Sequence, residues 1–95
     1  MSIERLVYKY IASAEHVLGE IEIIKTCTSL DADRLAKVLD SARAYLADAK
    51  YYRDEERFET SLASVAYCEG LLDALKLLGV VKFEWPMTRE QESEK

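Results

Sequence analysis

An all-α fold, a three-helix up-and-down antiparallel bundle with a short extended C-terminal tail, follows from three features of the sequence. Apolar residues recur at alternating spacings of three and four through three long segments. Two short breaks separate them, one near 26–30 and a charged one near 53–57, each short enough to fold neighbouring helices back on one another. The single proline, Pro86, lies beyond all three segments. The pattern is clearest from Ala42 to Leu75, where ARAYLADAKYY is followed by the charged break and then by FETSLASVAYCEGLLDAL.

In the first segment Ile3, Val7, Tyr10, Ala14, Val17, Ile21 and Ile24 form a heptad seam, widened by Leu6, Ile11 and Leu18. This predicts helix 1 from Ile3 to about Thr26, with Glu4, Arg5, Glu15 and Glu22 pointing away. The chain then turns, and Thr28 followed by Asp31 has the spacing of a capping box with Asp in place of Glu. Helix 2 carries Leu35, Val38, Leu39, Ala42, Tyr45, Leu46, Ala49 and Tyr52 on one face and ends near Arg53. Asp54, Glu55 and Glu56 place acceptors and negative charge where the positive end of helix 3 begins, close to Phe58. The face of helix 3 holds Phe58, Leu62, Val65, Cys68, Leu72 and Leu75. Leu71, Ala74, Leu77 and Leu78 add apolar residues on its other sides, which predicts the most buried of the three helices. Gly79 is placed to close it in the left-handed conformation. Val81, Phe83 and Trp85 then alternate with Lys82 and Glu84 as an extended segment that Pro86 ends. Residues 1–85 make one domain, and 86–95, polar and aperiodic, a flexible tail.

Ninety-five residues leave room for one core and no second domain. Eighteen acidic against thirteen basic residues give a net charge of -5, which repels phosphate backbones and anionic lipid, so nucleic acid is a disfavoured partner. Cys27 and Cys68 stand in no C-x-x-C spacing and in apolar surroundings, as reduced thiols of a cytoplasmic protein would. The longest apolar run, LLDALKLLGVV, is broken by Asp73 and Lys76 and falls short of the roughly 20 residues a membrane span requires. MSIERLVYKY has no signal-peptide core.

The hairpin carries a resemblance on Ala42, Tyr45, Asp48, Ala49, Tyr51 and Tyr52 in helix 2 and on Phe58, Tyr67, Gly70, Leu72, Asp73 and Ala74 in helix 3. It resembles an archaeal family catalogued as domain of unknown function 357. The resemblance implies a three-helix bundle in an archaeal cytoplasm and, in some relatives, fusion to a nucleotidyltransferase-like domain; it implies no established activity. Where that family usually has a Gly-Asp pair at the turn, this chain has Glu56-Arg57. The same rhythm of small and aromatic residues is similar to the HEPN nucleotide-handling and toxin domains, whose nucleases carry Arg and His four to six residues apart. Here the one histidine is His16 and the nearest preceding arginine is Arg5, both in helix 1, so the nuclease pair is missing.

Few constellations carry chemistry. His16 projects off the helix 1 seam as an ordinary surface group, and no Glu-x-x-His pair suggests a di-iron site, so no metal or cofactor is expected. Asp48 lies three residues after Tyr45 and four before Tyr52, within reach of a phenolic hydrogen bond. Glu69 and Asp73, four apart on helix 3, repel unless a donor such as Lys76, Tyr67 or a helix 2 tyrosine offsets them. The plain reading is that these groups pin helix edges; the sharper one is a small-ligand or nucleotide site built from Tyr45, Asp48, Tyr52, Tyr67, Glu69 and Asp73. Gly70 and Ala66 read as permitting close helix approach. Arg34, Lys37, Arg43, Lys50 and Arg53, with Tyr51, imitate a nucleic-acid face, but Asp31, Asp33 and Asp40 interleave with them. Phe83 and Trp85 either cap the bundle or form a partner-binding edge. The leading expectation is a non-enzymatic interaction or oligomerisation module, a homodimer through helix 1 or the tail. The alternative is a helical-bundle enzyme or ligand binder using Asp48, Glu69 and Asp73.

Overall fold

The computed structural model describes residues 2–24 and 31–86. Its elements are α1 (Ile3–Glu20), β1 (Glu22–Ile23), α2 (Ala32–Asp54), α3 (Phe58–Leu77) and β2 (Val81–Lys82). Ile3, at the start of α1, lies beside the α2–α3 turn, whereas β1, which follows α1, pairs with β2, which follows α3. The three helices therefore run up, down and up, as the hydrophobic periodicity requires.

Each helix buries a narrow stripe. Val7, Ile11, Ala14 and Val17 of α1 meet Leu35, Leu39, Ala42, Leu46 and Ala49 of α2 and Val65, Cys68, Leu72 and Leu75 of α3 in one core. These are the residues a spacing of three and four puts on a single helical face. α3 packs on both other helices, most extensively on α2. At the α2–α3 crossing the Ser61 hydroxyl, fully buried, donates to the Ala49 carbonyl oxygen at 2.6 Å. That bond satisfies the only polar atom of a side chain small enough to let the two helices meet closely. Two contacts tie α1 to α2 at the surface: Lys50 pairs with Glu15, and the Arg53 guanidinium lies 5.2 Å from the ring centroid of Tyr8.

Caps mark the helix starts. The Ser2 hydroxyl accepts from the Arg5 amide at 3.2 Å, and the Asp31 carboxylate accepts from the Arg34 amide at 2.8 Å. Asp31 is thus the N-cap of α2; Thr28 and the rest of the expected turn lie outside the described residues, as does the tail after Pro86. At α3 the expectation fails. Its N-cap is Arg57, which makes no side-chain capping bond, and Glu55 and Glu56 are spent on closing α2 instead.

Helix 1 is shorter than its seam predicts. It ends at Glu20, Ile21 is extended, and Glu22 and Ile23 pair antiparallel with Lys82 and Val81, the Ile24 amide donating to the Val80 carbonyl at 3.0 Å. The run Ile21-Glu22-Ile23-Ile24 satisfies a helical seam and a two-residue alternation equally. Its β-branched residues take the strand because Val80 and Val81 offer a partner strand. This ribbon closes the end of the bundle away from the α2–α3 turn.

α3 is not buried all round. Leu72 and Leu75 are in the core, but Ala74, Leu77 and Leu78 face outward, Leu77 with 87% of its surface exposed. α1, α2 and the ribbon all pack against the stripe of Ser61, Val65, Cys68, Leu72 and Leu75. Hydrophobicity on the other side of α3 meets no neighbour among the described residues.

Candidate functional site

The two helices of the hairpin present opposite surfaces to solvent. The exposed positions of α2 include Asp33, Arg34, Lys37, Asp40, Arg43 and Asp48, a mixed and well-solvated face. On α3 the exposed positions Ala63, Ala66, Tyr67, Gly70, Ala74 and Leu77 carry no charge, and only Glu59 and Asp73 flank them. At roughly 100° per residue all six fall within about a quarter-turn of the helix circumference, over some 20 Å of its length. Tyr67 is 57% exposed and Leu78, at the end of the same strip, 58%.

Gly70 sits at the middle of this face. A methyl group built on it would meet no atom of the rest of the bundle within 4 Å. A glycine inside a helix costs about 1 kcal/mol relative to alanine, and the expected return, close approach of a neighbouring helix, is not found among the described residues. Ala66 is exposed as well. The pair does not serve the α2–α3 contact; Ser61 and Ala49 do.

The residues singled out in the sequence are only partly brought together. Tyr45 of α2 stacks on Tyr67 of α3, ring centroids 4.3 Å apart and planes within 14°, and this pair forms one border of the α3 face. Tyr52 makes an edge contact with Tyr51 and carries the Arg57 guanidinium 4.8 Å above its ring, at the turn end of the molecule. Asp48 is exposed and makes no hydrogen bond to Tyr45 or Tyr52. The Asp73 carboxylate accepts from the indole Nε1 of Trp85 at 2.8 Å. The donor that meets this carboxylate is therefore Trp85 rather than Lys76 or a tyrosine. Glu69 is half-buried beside Cys68.

Phe83 is buried in the chain's own core, edge-on to Trp85 at 5.1 Å, with the Lys76 ammonium 4.9 Å from its ring centroid. Both aromatic residues pack on their own bundle. Burial, and secondarily the charge of Glu69, push the Cys68 thiol up to about 11. Below that pH the thiol stays protonated, so it is an inert core group rather than a nucleophile.

A hollow of about 400 Å³ opens at the turn end between Ile3 and the stretch Glu56, Arg57, Phe58, Glu59 and Thr60. Asp48, Glu69 and Asp73 do not line it. Among the described residues no group of three His, Cys, Asp or Glu side chains is placed to hold a metal ion, and no helix is long and apolar enough to cross a membrane.

Residues 9–81 match the model of a family described as "Protein of unknown function (DUF357)". The chain belongs to the DUF357 family. The match takes in all of α2 and α3 and most of α1 and ends inside β2, so the outward face of α3 lies within the DUF357 region. No curated protein and no solved structure matches the chain.

Sequence reasoning passed over two features of this region. Ser61 has no motif to announce it; only its place on the buried stripe of α3 signals that its hydroxyl must find a partner. The outward face was readable as an arc of α3 without charge, but that arc looks the same in a sequence whether it is buried within the chain or left open.

Proposed function

We propose that this DUF357 protein is a non-enzymatic protein–protein interaction module whose contact surface is the outward face of α3, and that it works in the cytoplasm for a protein partner or for a second copy of itself. One observation carries the reading: the middle of a 20-residue helix exposes an uncharged strip with a glycine at its centre, and none of the described residues covers it. Apolar strips of this kind on soluble proteins mark contact sites. Tyr67 adds a large amphipathic side chain of the type enriched in interface centres, pre-oriented by its stack on Tyr45. The net charge of -5 favours a protein over a nucleic acid as the occupant.

A photo-crosslinking residue introduced at position 67 tests this directly against the same residue at position 37 on the charged face of α2. In extracts of the native host, position 67 is expected to give a discrete adduct and position 37 none. Equal labelling from both positions, or none from either, would overturn the reading.

A further inference from the structure

We infer that the occupant of this strip is a second copy of the chain, with α3 packed antiparallel on α3 of its partner about a two-fold axis beside Gly70. The inference rests on the interaction-module reading above and adds to it the identity of the partner and the geometry of the contact.

The strip is complementary to itself in that orientation alone. Its N-terminal half is small, with Ala63 and Ala66; its C-terminal half ends in Leu77 and Leu78. A helix rises about 1.5 Å per residue, so a two-fold at Gly70 brings Leu77 of one copy level with Ala63 of the other, Ala74 level with Ala66, and Tyr67 level with Asp73. Leucine then meets alanine at both ends of the seam, and the small residues Ala66, Gly70 and Ala74 face one another across its centre. A parallel pairing would set leucine on leucine and alanine on alanine, jamming one end and leaving a void at the other. Gly70 at the crossing point lets the helix axes approach to the short end of the usual 8–10 Å range.

Charge agrees with shape. The Lys76 ammonium lies over the Phe83 ring, off this face, so the helix dipoles set the electrostatic preference. Antiparallel packing opposes the two helix dipoles, whereas parallel packing sets like ends beside one another. The centre of the strip adds no charge to be desolvated.

The area suits a modest dimer. Tyr67, Leu77 and Leu78, exposed by 57%, 87% and 58%, offer about 100–150 Å² each. With the small residues between them each copy contributes on the order of 500 Å², or about 1,000 Å² in total, the lower bound for a specific interface. A dissociation constant in the micromolar range is the corresponding expectation.

Sedimentation velocity on the full chain from about 1 to 100 μM tests the proposal, with Leu77→Glu and, in a Cys27→Ser background, Gly70→Cys and Lys37→Cys as variants. The expected result is a concentration-dependent dimer that Leu77→Glu weakens at least tenfold while its circular dichroism and melting temperature stay those of the parent. Under mild oxidation Gly70→Cys should form a disulfide-linked dimer and Lys37→Cys should not. A monomer throughout the range overturns the second copy as occupant, as does a dimer indifferent to Leu77→Glu that Gly70→Cys fails to trap. The position-67 crosslink separates the two levels of failure: an adduct with a different protein removes the homodimer and keeps the interaction module, and no adduct removes both.

Discussion

The C-terminal ends of α2 and α3 are closed by the same backbone device built from different residues. At the turn end, Glu56 donates its amide to the Arg53 carbonyl at 2.9 Å and Arg57 to Tyr52 at 2.8 Å; at the ribbon end, Gly79 donates to Lys76 at 3.0 Å and Val80 to Leu75 at 3.2 Å. Each is a Schellman motif, in which the residue after the cap turns left-handed so that the last carbonyls of the helix are satisfied. Gly79 does this with φ 79° at no steric cost, whereas Glu56 does it with φ 61° and a β-carbon pressed toward its own carbonyl. The ends differ in support as well. At the ribbon, Val80, Val81 and Phe83 are buried and Trp85 is tied to Asp73, while the turn end has an exposed Glu56 beside an open hollow. The ribbon end is held chiefly by packing; the turn end relies on its hydrogen bonds, the Arg57–Tyr52 contact and the half-buried Phe58.

The largest effect that would test this contrast is at Phe83. Truncating a buried phenylalanine costs about 3–5 kcal/mol through lost burial and the cavity left behind. Phe83→Ala is therefore expected to lower the denaturant midpoint sharply, whereas Phe58→Ala, half-buried at the turn end, should cost less than half as much. Comparable losses at the two sites in urea titrations would mean that packing holds both ends alike.

Exchanging the left-handed residues sharpens the comparison further. A non-glycine residue in the left-handed region bears about 1–2 kcal/mol of strain, and glycine returns part of that advantage through the greater freedom of its unfolded chain. Glu56→Gly should therefore stabilise by about 0.5–1 kcal/mol, a rise of a few degrees in melting temperature. Gly79→Ala should destabilise by about the same amount, since an added methyl group there meets no atom within 4 Å and only the backbone pays. The double variant is then close to the parent in thermal melts. A fall in melting temperature for Glu56→Gly would show that the glutamate side chain earns its place in the turn by a contact worth more than the strain.

How much of this was legible in the sequence depends on whether one segment or two decide the outcome. The core stripes of α2 and α3 follow from spacing within each helix, and the left-handed Gly79 follows from a glycine at the end of a periodic run. Glu56 was legible only through the family resemblance, which implies a glycine at that position and with it the left-handed conformation. The end of α1 could not, because Ile21-Glu22-Ile23-Ile24 suits a helix as well as a strand and only Val81, some sixty residues away, decides between them. The candidate site divides in the same way. Tyr45 and Tyr67 were picked out one helix at a time and do meet. Asp73 was assigned donors from its own and the neighbouring helix, and its donor comes from the ribbon instead. The expectation that α3 is the most buried helix overstates its burial, because hydrophobicity states that a surface wants covering, not that the chain covers it.

The smallest effect concerns that last bond, and it asks whether Trp85 is held by its indole N–H or by its ring. Trp85→Phe retains an aromatic ring to pack against Phe83 and removes only the donor to Asp73. A hydrogen bond to a charged acceptor contributes about 1.5 kcal/mol or more when both partners are buried, but Asp73 is exposed and water replaces the lost donor, so a loss of about 0.5–1 kcal/mol is expected. Asp73→Ala should cost a similar amount, offset slightly by the better helix propensity of alanine. The double variant is the informative one. If the N–H and the carboxylate act through each other, Trp85→Phe in an Asp73→Ala background costs almost nothing further, and the two changes fall short of additivity by about 0.5 kcal/mol. Full additivity in urea titrations would show that Trp85 is seated by its contact with Phe83 alone, leaving packing as the whole of what distinguishes the ribbon end from the turn end.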